Sequence, residues 1–372
     1  MRLLDNAPVG RFTAVIFLAI AFTFCQSKVG DAQAHDAGAR MERVADGVYA
    51  IIHDDATEEW VHGNTGVIVG DDGVLVVDAT YLPSRARADI ALIRTVTDKP
   101  VRYLVLTHLH RDHNGGASAY RDAFPDVAVV SGEDTREFIS INRAATARAA
   151  AAPNSSLRAR FATLEGRLAS GMDSTGQPLT AAGKAALEKN IRERRVELED
   201  LSSMRVIVPN VAVPHALDVY LGGRRIEIRN RGRAHSPEDI TVYAPAERVL
   251  FSGDIVVQAR FLYVGTAWPT EWTRTLREIE ATEIASLVPG HGPVLHDLTY
   301  TRATRELYEG VSAQVADMLR QGLTLEQIQQ RVDTKRLRAA SPAWVGAEKD
   351  DDWKRSIQLL VTRAWHDLRG LD

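Results

Sequence analysis

Between residues 42 and 79 polar positions alternate with Val, Ile and Tyr in three runs, ERVADGVYAIIH, WVHGNTGVIVG and GVLVVDAT, with a GDDG turn between the last two. A period of two with Asp-Asp-Gly at the reversal predicts half-buried strands joined by a hairpin. Residues 83–97, PSRARADIALIRTVT, space Ala, Ile and Leu at helical intervals behind a proline, which predicts a helix with Pro in its first turn. A strand VRYLVL, a helix GASAYRDAF and a strand VAVVSG follow. Strands alternating with helices indicate a layered α/β domain.

Residues 133–203 depart from that rhythm. They are rich in Ala, Arg and Glu, and the heptad-like spacing of LRARFATLEGRL and AALEKNIRERRVELEDL, on either side of MDSTGQPLTAAG, predicts an antiparallel helical pair inserted into the domain. Its mixed charges mark a solvated face. Strands return in MRVIVPNVAV, ALDVYLGGRRIEIRNRG, DITVYAPAERVLFSGDIVV and ASLVPGHG. Beyond 299 the spacing turns helical again, in TRATRELYEGVSAQVADMLRQG, in TLEQIQQRV, whose Thr-x-x-Gln is a capping-box start, and in DWKRSIQLLVTRAWHDLRG. The two β-rich stretches flanking the insertion read as the halves of one sandwich. The expected organisation is a domain over 43–298 interrupted by the insertion, then a helical extension over 299–372.

Composition adds little to this picture until the N-terminus. With 372 residues, 45% apolar and 25% charged, the chain can bury a sizeable core. A formal net charge of -4 offers no general basic surface, so neither nucleic acid nor an anionic membrane is expected as a partner. The first residues are different: MRLLDNAPVGR carries two arginines, FTAVIFLAIAFTFC is apolar, and DAQA ends in a small-x-small pattern. That order predicts a secretory signal over 1–34, cleaved near Ala34 to leave a periplasmic or secreted chain with no stable membrane anchor. The apolar run is shorter than the roughly 20 residues of a spanning helix. The sole cysteine, Cys25, lies inside this signal. The mature chain would therefore hold neither a disulfide nor a thiolate metal ligand.

Chemistry concentrates in THLHRDHNGG, residues 107–116, directly after the apolar strand VRYLVL. Buried imidazoles and carboxylates must be paired, hydrogen-bonded or metal-bound, and the spacing of His108, His110, Asp112 and His113 is a metal-site spacing. Three further groups sit at strand ends beside Gly, Ser or Pro: His235 in GRAHSPEDI, Asp254 in LFSGDIVV and His291 in LVPGHGPVL. His53, His215, His296 and His366 lack such company and are assigned to packing or capping. Imidazole and carboxylate donors without thiolate suit zinc, with iron or manganese as alternatives. A bound cation of this kind lowers the pKa of water toward neutrality, so the expected chemistry is hydrolysis of a small-molecule substrate.

THLHRDHNGG also has the HxHxDH pattern of the metallo-β-lactamase superfamily. The Asp of LVVDA, the AHS histidine, SGD and PGHG follow in that family's order, so the chain resembles it from about 43 to 296. The resemblance implies an αββα sandwich with a dinuclear metal site at one edge. It implies that His108, His110 and His235 bind a first zinc ion and that Asp112, His113 and His291 bind a second. Asp254 would bridge them, as in the similar hydroxyacylglutathione hydrolases and quorum-quenching lactonases, and Asp78 would steady the ligands from behind. Asp112 would also orient the nucleophile and handle its proton.

Departures from the family bear on the substrate. The largest group of true β-lactamases has cysteine where Asp254 stands and lysine three residues later, where this chain has Val257. Arg260 and Tyr263 are the nearest substitutes for a substrate anchor, and Trp60, His62 and Trp268 are candidates for its walls. The expectation is hydrolysis of an amide, ester or lactone, with modest β-lactam turnover at most. The rival readings are a β-lactam-hydrolysing class B-like enzyme, a mononuclear iron persulfide dioxygenase on a related scaffold and a binding protein with a vestigial metal site.

Overall fold

The computed structural model describes residues 39–53, 62–143, 149, 152–153, 155–258, 263–340 and 350–371, so the expected signal and Cys25 lie outside the described residues. The first sheet runs in the order β1 (Ala39–Ala45), β2 (Val48–His53), β3 (Thr65–Val69), β4 (Val74–Val77), β5 (Val101–Val105), β6 (Ala128–Ser131) and β7 (Val211–Ala212). Its first four strands are antiparallel neighbours, and parallel pairing begins where the helix α1 (Pro83–Arg94) crosses from β4 to β5. The short helices α2 (Arg111–Asn114), α3 (Ala117–Ala123) and α4 (Glu133–Phe138) follow. The insertion then forms α5 (Ser156–Ser170) and α6 (Ala181–Ser203), with Arg195 of α6 reaching Glu165 of α5 at 3.2 Å.

The second sheet is built from β8 (Ala216–Leu221), β9 (Arg224–Asn230), β10 (Ile240–Ala244), β11 (Val249–Val257) and β12 (Ser286–His291), with β12 parallel to β11 and the other pairs antiparallel. The helices α7 (Pro269–Glu280), α8 (Thr299–Arg320), α9 (Leu325–Arg331), α10 (Thr334–Ala340) and α11 (Asp350–Leu368) complete the chain.

Strand periodicity sorts the core into three layers. Side chains two apart share a face, so Ala50, Ile68, Leu75, Val77, Val105 and Val130 point inward to meet Ile226, Ile228, Val242 and Phe251 between the sheets. Their neighbours Ile51, Val67, Val74, Val76 and Leu104 point outward against Ala86 and Ile93 of α1 and Tyr120 of α3. On the other side Leu250, Ile255 and Leu287 meet Trp272 and Leu276 of α7, Leu307 and Val311 of α8, and Ile357 and Leu360 of α11. The result is the αββα layering that the resemblance implies. The C-terminal helices thus supply the outer layer of the second sheet.

Two segments differ from their sequence patterns. Of MRVIVPNVAV only Val211–Ala212 pairs as strand. Pro209 has no N–H to give the ladder, and Asn210 instead closes a local ring with β6, donating its N–H to the Val129 carbonyl (2.9 Å) and accepting from Val129 N–H (2.8 Å). Helix α7 falls where the sequence analysis places no element, and Trp272, Leu276 and Ile279 recur at helical spacing along it and are all buried. The capping box of TLEQ is present, with Thr324 and Gln327 satisfying one another's backbone N–H groups.

Ile68 is fully buried between the sheets. Truncation at such a site loses transfer free energy and leaves a cavity, so Ile68→Ala should destabilise by about 2–5 kcal/mol. The shift of the urea midpoint at unchanged slope measures it, and a loss under about 1 kcal/mol would contradict this packing.

Candidate metal centre

Both sheets contribute to one polar cluster. From the first sheet, the segment after β5 and the single turn α2 carry His108, His110, Asp112 and His113. From the second come His235 in the β9–β10 connection, Asp254 within β11 and His291 at the end of β12. Two groups of possible ligands result, His108–His110–His235–Asp254 and Asp112–His113–Asp254–His291. Each spans the seam between the sheets.

In the first group His110 Nδ1 lies 3.0 Å from both His108 Nε2 and His235 Nε2. One ring nitrogen can donate at most one proton, so a hydrogen bond can satisfy only one of these two approaches. A cation at the shared centre satisfies all three lone pairs, and zinc–imidazole distances of about 2 Å fit such a spacing. In the second group His291 Nε2 lies 3.2 Å from His113 Nε2 and 3.1 Å from Asp112 Oδ2. Asp254 joins the two, with Oδ2 at 3.2 Å from His235 Nε2 and Oδ1 at 3.2 Å from His113 Nε2. The residues present therefore fit two metal ions sharing one carboxylate.

The electrostatics agree. Burial, with the neighbouring His113, holds His108 well below the ordinary histidine pKa, and burial pushes His235 down to about 3. Both are then neutral, the form that coordinates metal. Burial opposes ionisation of Asp254, yet His113, His291 and His235 hold its carboxyl well below the usual range. Burial likewise opposes a proton on His113, which Asp254, Asp112 and Asp78 nevertheless raise well above its ordinary pKa. The carboxylates of the second group thus favour positive charge at their centre.

Asp78 directly follows strand β4 with φ 63°, a left-handed backbone, and Thr80 comes next but one at φ 49°. Its Oδ2 accepts from His113 Nδ1 (2.8 Å) and from the Thr107 hydroxyl (2.9 Å), while Oδ1 accepts from Thr107 N–H (2.8 Å). Thr107 Oγ1 in turn faces His108 Nδ1 at 3.0 Å. One carboxylate thereby orients an imidazole in each group. The Gly-Gly of HNGG has a steric reason: a Cβ at Gly115 would strike the Tyr81 carbonyl, and one at Gly116 the Ala79 carbonyl. Asn114 ties the turn down by donating to the carbonyls of His108 (3.2 Å) and His110 (2.7 Å).

The expected substrate residues divide. Trp60 and Arg260 lie outside the described residues. Tyr263 is 49% exposed, with its ring edge-on to His110 at 5.4 Å, and so stands beside the first group. His62 is buried and packs edge-on against Tyr81 at 5.8 Å. Trp268 is buried with the guanidinium groups of Arg233 and Arg363 each 5.1 Å from its ring, and Val257 is buried in the layer beneath α8. These three pack.

Several supporting residues had no sequence signal. Asn64 accepts from His53 N–H (3.3 Å) and donates to the carbonyls of Pro289 (3.0 Å) and Gly292 (2.8 Å), bracketing His291. The insertion braces the metal turn from the other side: Tyr81 donates to Glu197 of α6 at 2.6 Å, and the Arg111 guanidinium binds the Tyr81 hydroxyl and lies 3.6 Å from Glu197. Burial there lifts Glu197 to about 7.

A two-sheet sandwich with paired imidazole–carboxylate groups at its seam defines a class of metal-binding scaffold. The profile of the Metallo-beta-lactamase superfamily matches residues 59–291, and the chain belongs to that superfamily. In sequence it is 23% identical over 282 residues to a linear primary-alkylsulfatase from Pseudomonas sp., a match covering 72% of this chain and 49% of that protein. In fold it is similar to a stereoselective inverting sec-alkylsulfatase from Pseudomonas sp. (TM-score 0.58, 18% identity, 90% of this chain and 50% of the other). It is also similar to a metallo-beta-lactamase from Pontibacter korlensis (TM-score 0.52, 17% identity, 73% of this chain and 99% of the other). The chain spans about half the length of the alkylsulfatases it matches.

Asn tolerates left-handed backbone as Asp does, so Asp78→Asn isolates the charge. Partners behind metal ligands typically carry 10–100-fold in affinity, and a loss of about that size, read by competition with a chelator, is expected with the circular dichroism unchanged. Full affinity would remove Asp78 from this role.

Proposed function

We propose that the chain is an exported metal-dependent hydrolase that uses two zinc ions, with iron or manganese as alternatives, to cleave an ester, lactone or amide bond of a small molecule. The observation that carries this reading is Asp254, whose two oxygens face different ligand groups. Such a pair of ions supplies a nucleophilic water at neutral pH and polarises the scissile group. His108, His110 and His235 would hold one ion, and Asp112, His113 and His291 the other. Asp112, with a side chain 22% exposed, is the ligand carboxylate more open to solvent and is suited to orient the water and take its proton. Tyr263, beside His110, would form a wall for the substrate. Asp78 fixes ring orientations before substrate arrives.

A sulfate ester is a second reading of the scissile bond, supported by the name of the linear primary-alkylsulfatase that the chain matches in sequence. For β-lactams the buried Val257 supplies no cation to a substrate carboxylate, and turnover should be modest. The seven-residue ligand set and its shared carboxylate favour hydrolysis over a dioxygenase with one iron or a vestigial binding site.

Purified protein should contain about two zinc-like ions per chain. On a panel of lactones, aryl esters, alkyl sulfates and penicillins, chelation should abolish turnover and zinc restore it. Asp254→Cys should lower turnover by about 100-fold or more with the fold retained, since even partners behind ligands cost 10–100-fold. One iron per chain with oxygen-dependent turnover, or undiminished turnover in Asp254→Ala, which offers no donor at all, would overturn the proposal.

A further inference from the structure

His110 presents Nδ1 to the first ligand group, so its outer nitrogen Nε2 carries the ring proton and needs an acceptor. Thr266 Oγ1 lies 3.1 Å from that Nε2, and the same hydroxyl donates to the His235 carbonyl at 3.2 Å. A single hydroxyl therefore accepts from one ligand and ties it to the backbone of another. Thr266 belongs to no helix or strand, and its hold on the site depends on how its segment is fixed.

Two side chains of α11 fix that segment. Arg363 donates through Nε to the Ala267 carbonyl at 2.8 Å and lays its guanidinium over Trp268. Asp367, one turn further along, accepts from Thr270 N–H (2.8 Å) and the Thr270 hydroxyl (2.5 Å), satisfying an otherwise open N–H at the start of α7. Trp268 N–H then donates to the Ala234 carbonyl at 2.9 Å, next to His235. The chain from α11 to His110 is continuous.

We infer that Thr266 is a positioning residue for the first metal ion, and that α11 holds it in place through Arg363 and Asp367. The inference rests on the metal reading of the site. The hydroxyl fixes which nitrogen of His110 is a lone pair and the plane in which it points. Asp78 does the same for His113 directly and for His108 through Thr107, so its influence spans both groups, whereas that of Thr266 is confined to one.

Stepwise cobalt(II) titration of the full chain, followed by visible absorption, tests this without substrate. Thr266→Val should weaken one of two cobalt equivalents by about 10–100-fold and change its absorption bands, leaving the other equivalent as in the wild type. Thr266→Ser keeps the hydroxyl and should restore both. The double variant Arg363→Gln, Asp367→Asn should weaken the same equivalent as Thr266→Val. Unaltered binding in Thr266→Val, equal weakening of both equivalents, or failure of Thr266→Ser to restore would overturn the inference. Wild-type protein that takes up no cobalt would remove the metal reading itself, and the inference with it.

Discussion

The structure depends on placing the Asp254 carboxylate where two sets of imidazoles can both reach it. Strand β11 is buried along its whole length, and its pairing with β12 shifts register on both sides of Gly253. Gly253 takes φ 51° with Thr107 close against it, and a Cβ at Gly290 would collide with Asp254 Oδ1. Ordinary strand pairing would leave that carboxylate pointing along the regular alternation of faces. The irregularity and the two glycines free it to sit at the seam, where its charge is answered from both sheets.

Around that carboxylate the remaining elements act as supports of different reach. Asp78, held at the end of β4 in left-handed backbone, governs ring orientation in both groups. Asn64 links the start of β3 to the end of β12. Helix α6 grips the metal turn through Glu197, Tyr81 and Arg111, and α11 grips the segment opposite through Arg363. The insertion and the C-terminal helices, which look like additions along the chain, thus bear on the same few imidazoles from two sides.

The layering and the ligand types were legible in the sequence because each has a local signature. Alternation of Val and Ile reports a strand face, and His108, His110, Asp112 and His113 crowd into one turn that has no cheap apolar explanation. His235, Asp254 and His291 each stand beside glycine, serine or proline at a strand end. Thr107, Thr266, Asn64 and Glu197 carry no such mark, since a threonine or glutamate becomes a support only through tertiary placement. His62 and Trp268 have rings whose setting only the fold reveals, one against Tyr81 and the other between two arginines. The run MRVIVPNVAV looks like a full strand but pairs over only two residues because Pro209 interrupts it, and the signal of α7 lies only in the helical spacing of its buried residues.

Because each ligand group draws on both sheets, an ion held there acts as a rivet through the seam. Binding that requires the assembled halves stabilises them by RT ln(1 + [L]/Kd), about 4 kcal/mol at a thousandfold excess over Kd. The chain would then have no reactive form that is not also its sturdiest form. Loss of metal in a depleted environment would loosen the sandwich at the moment it silences the chemistry, marking the idle molecule for proteolysis before the working one.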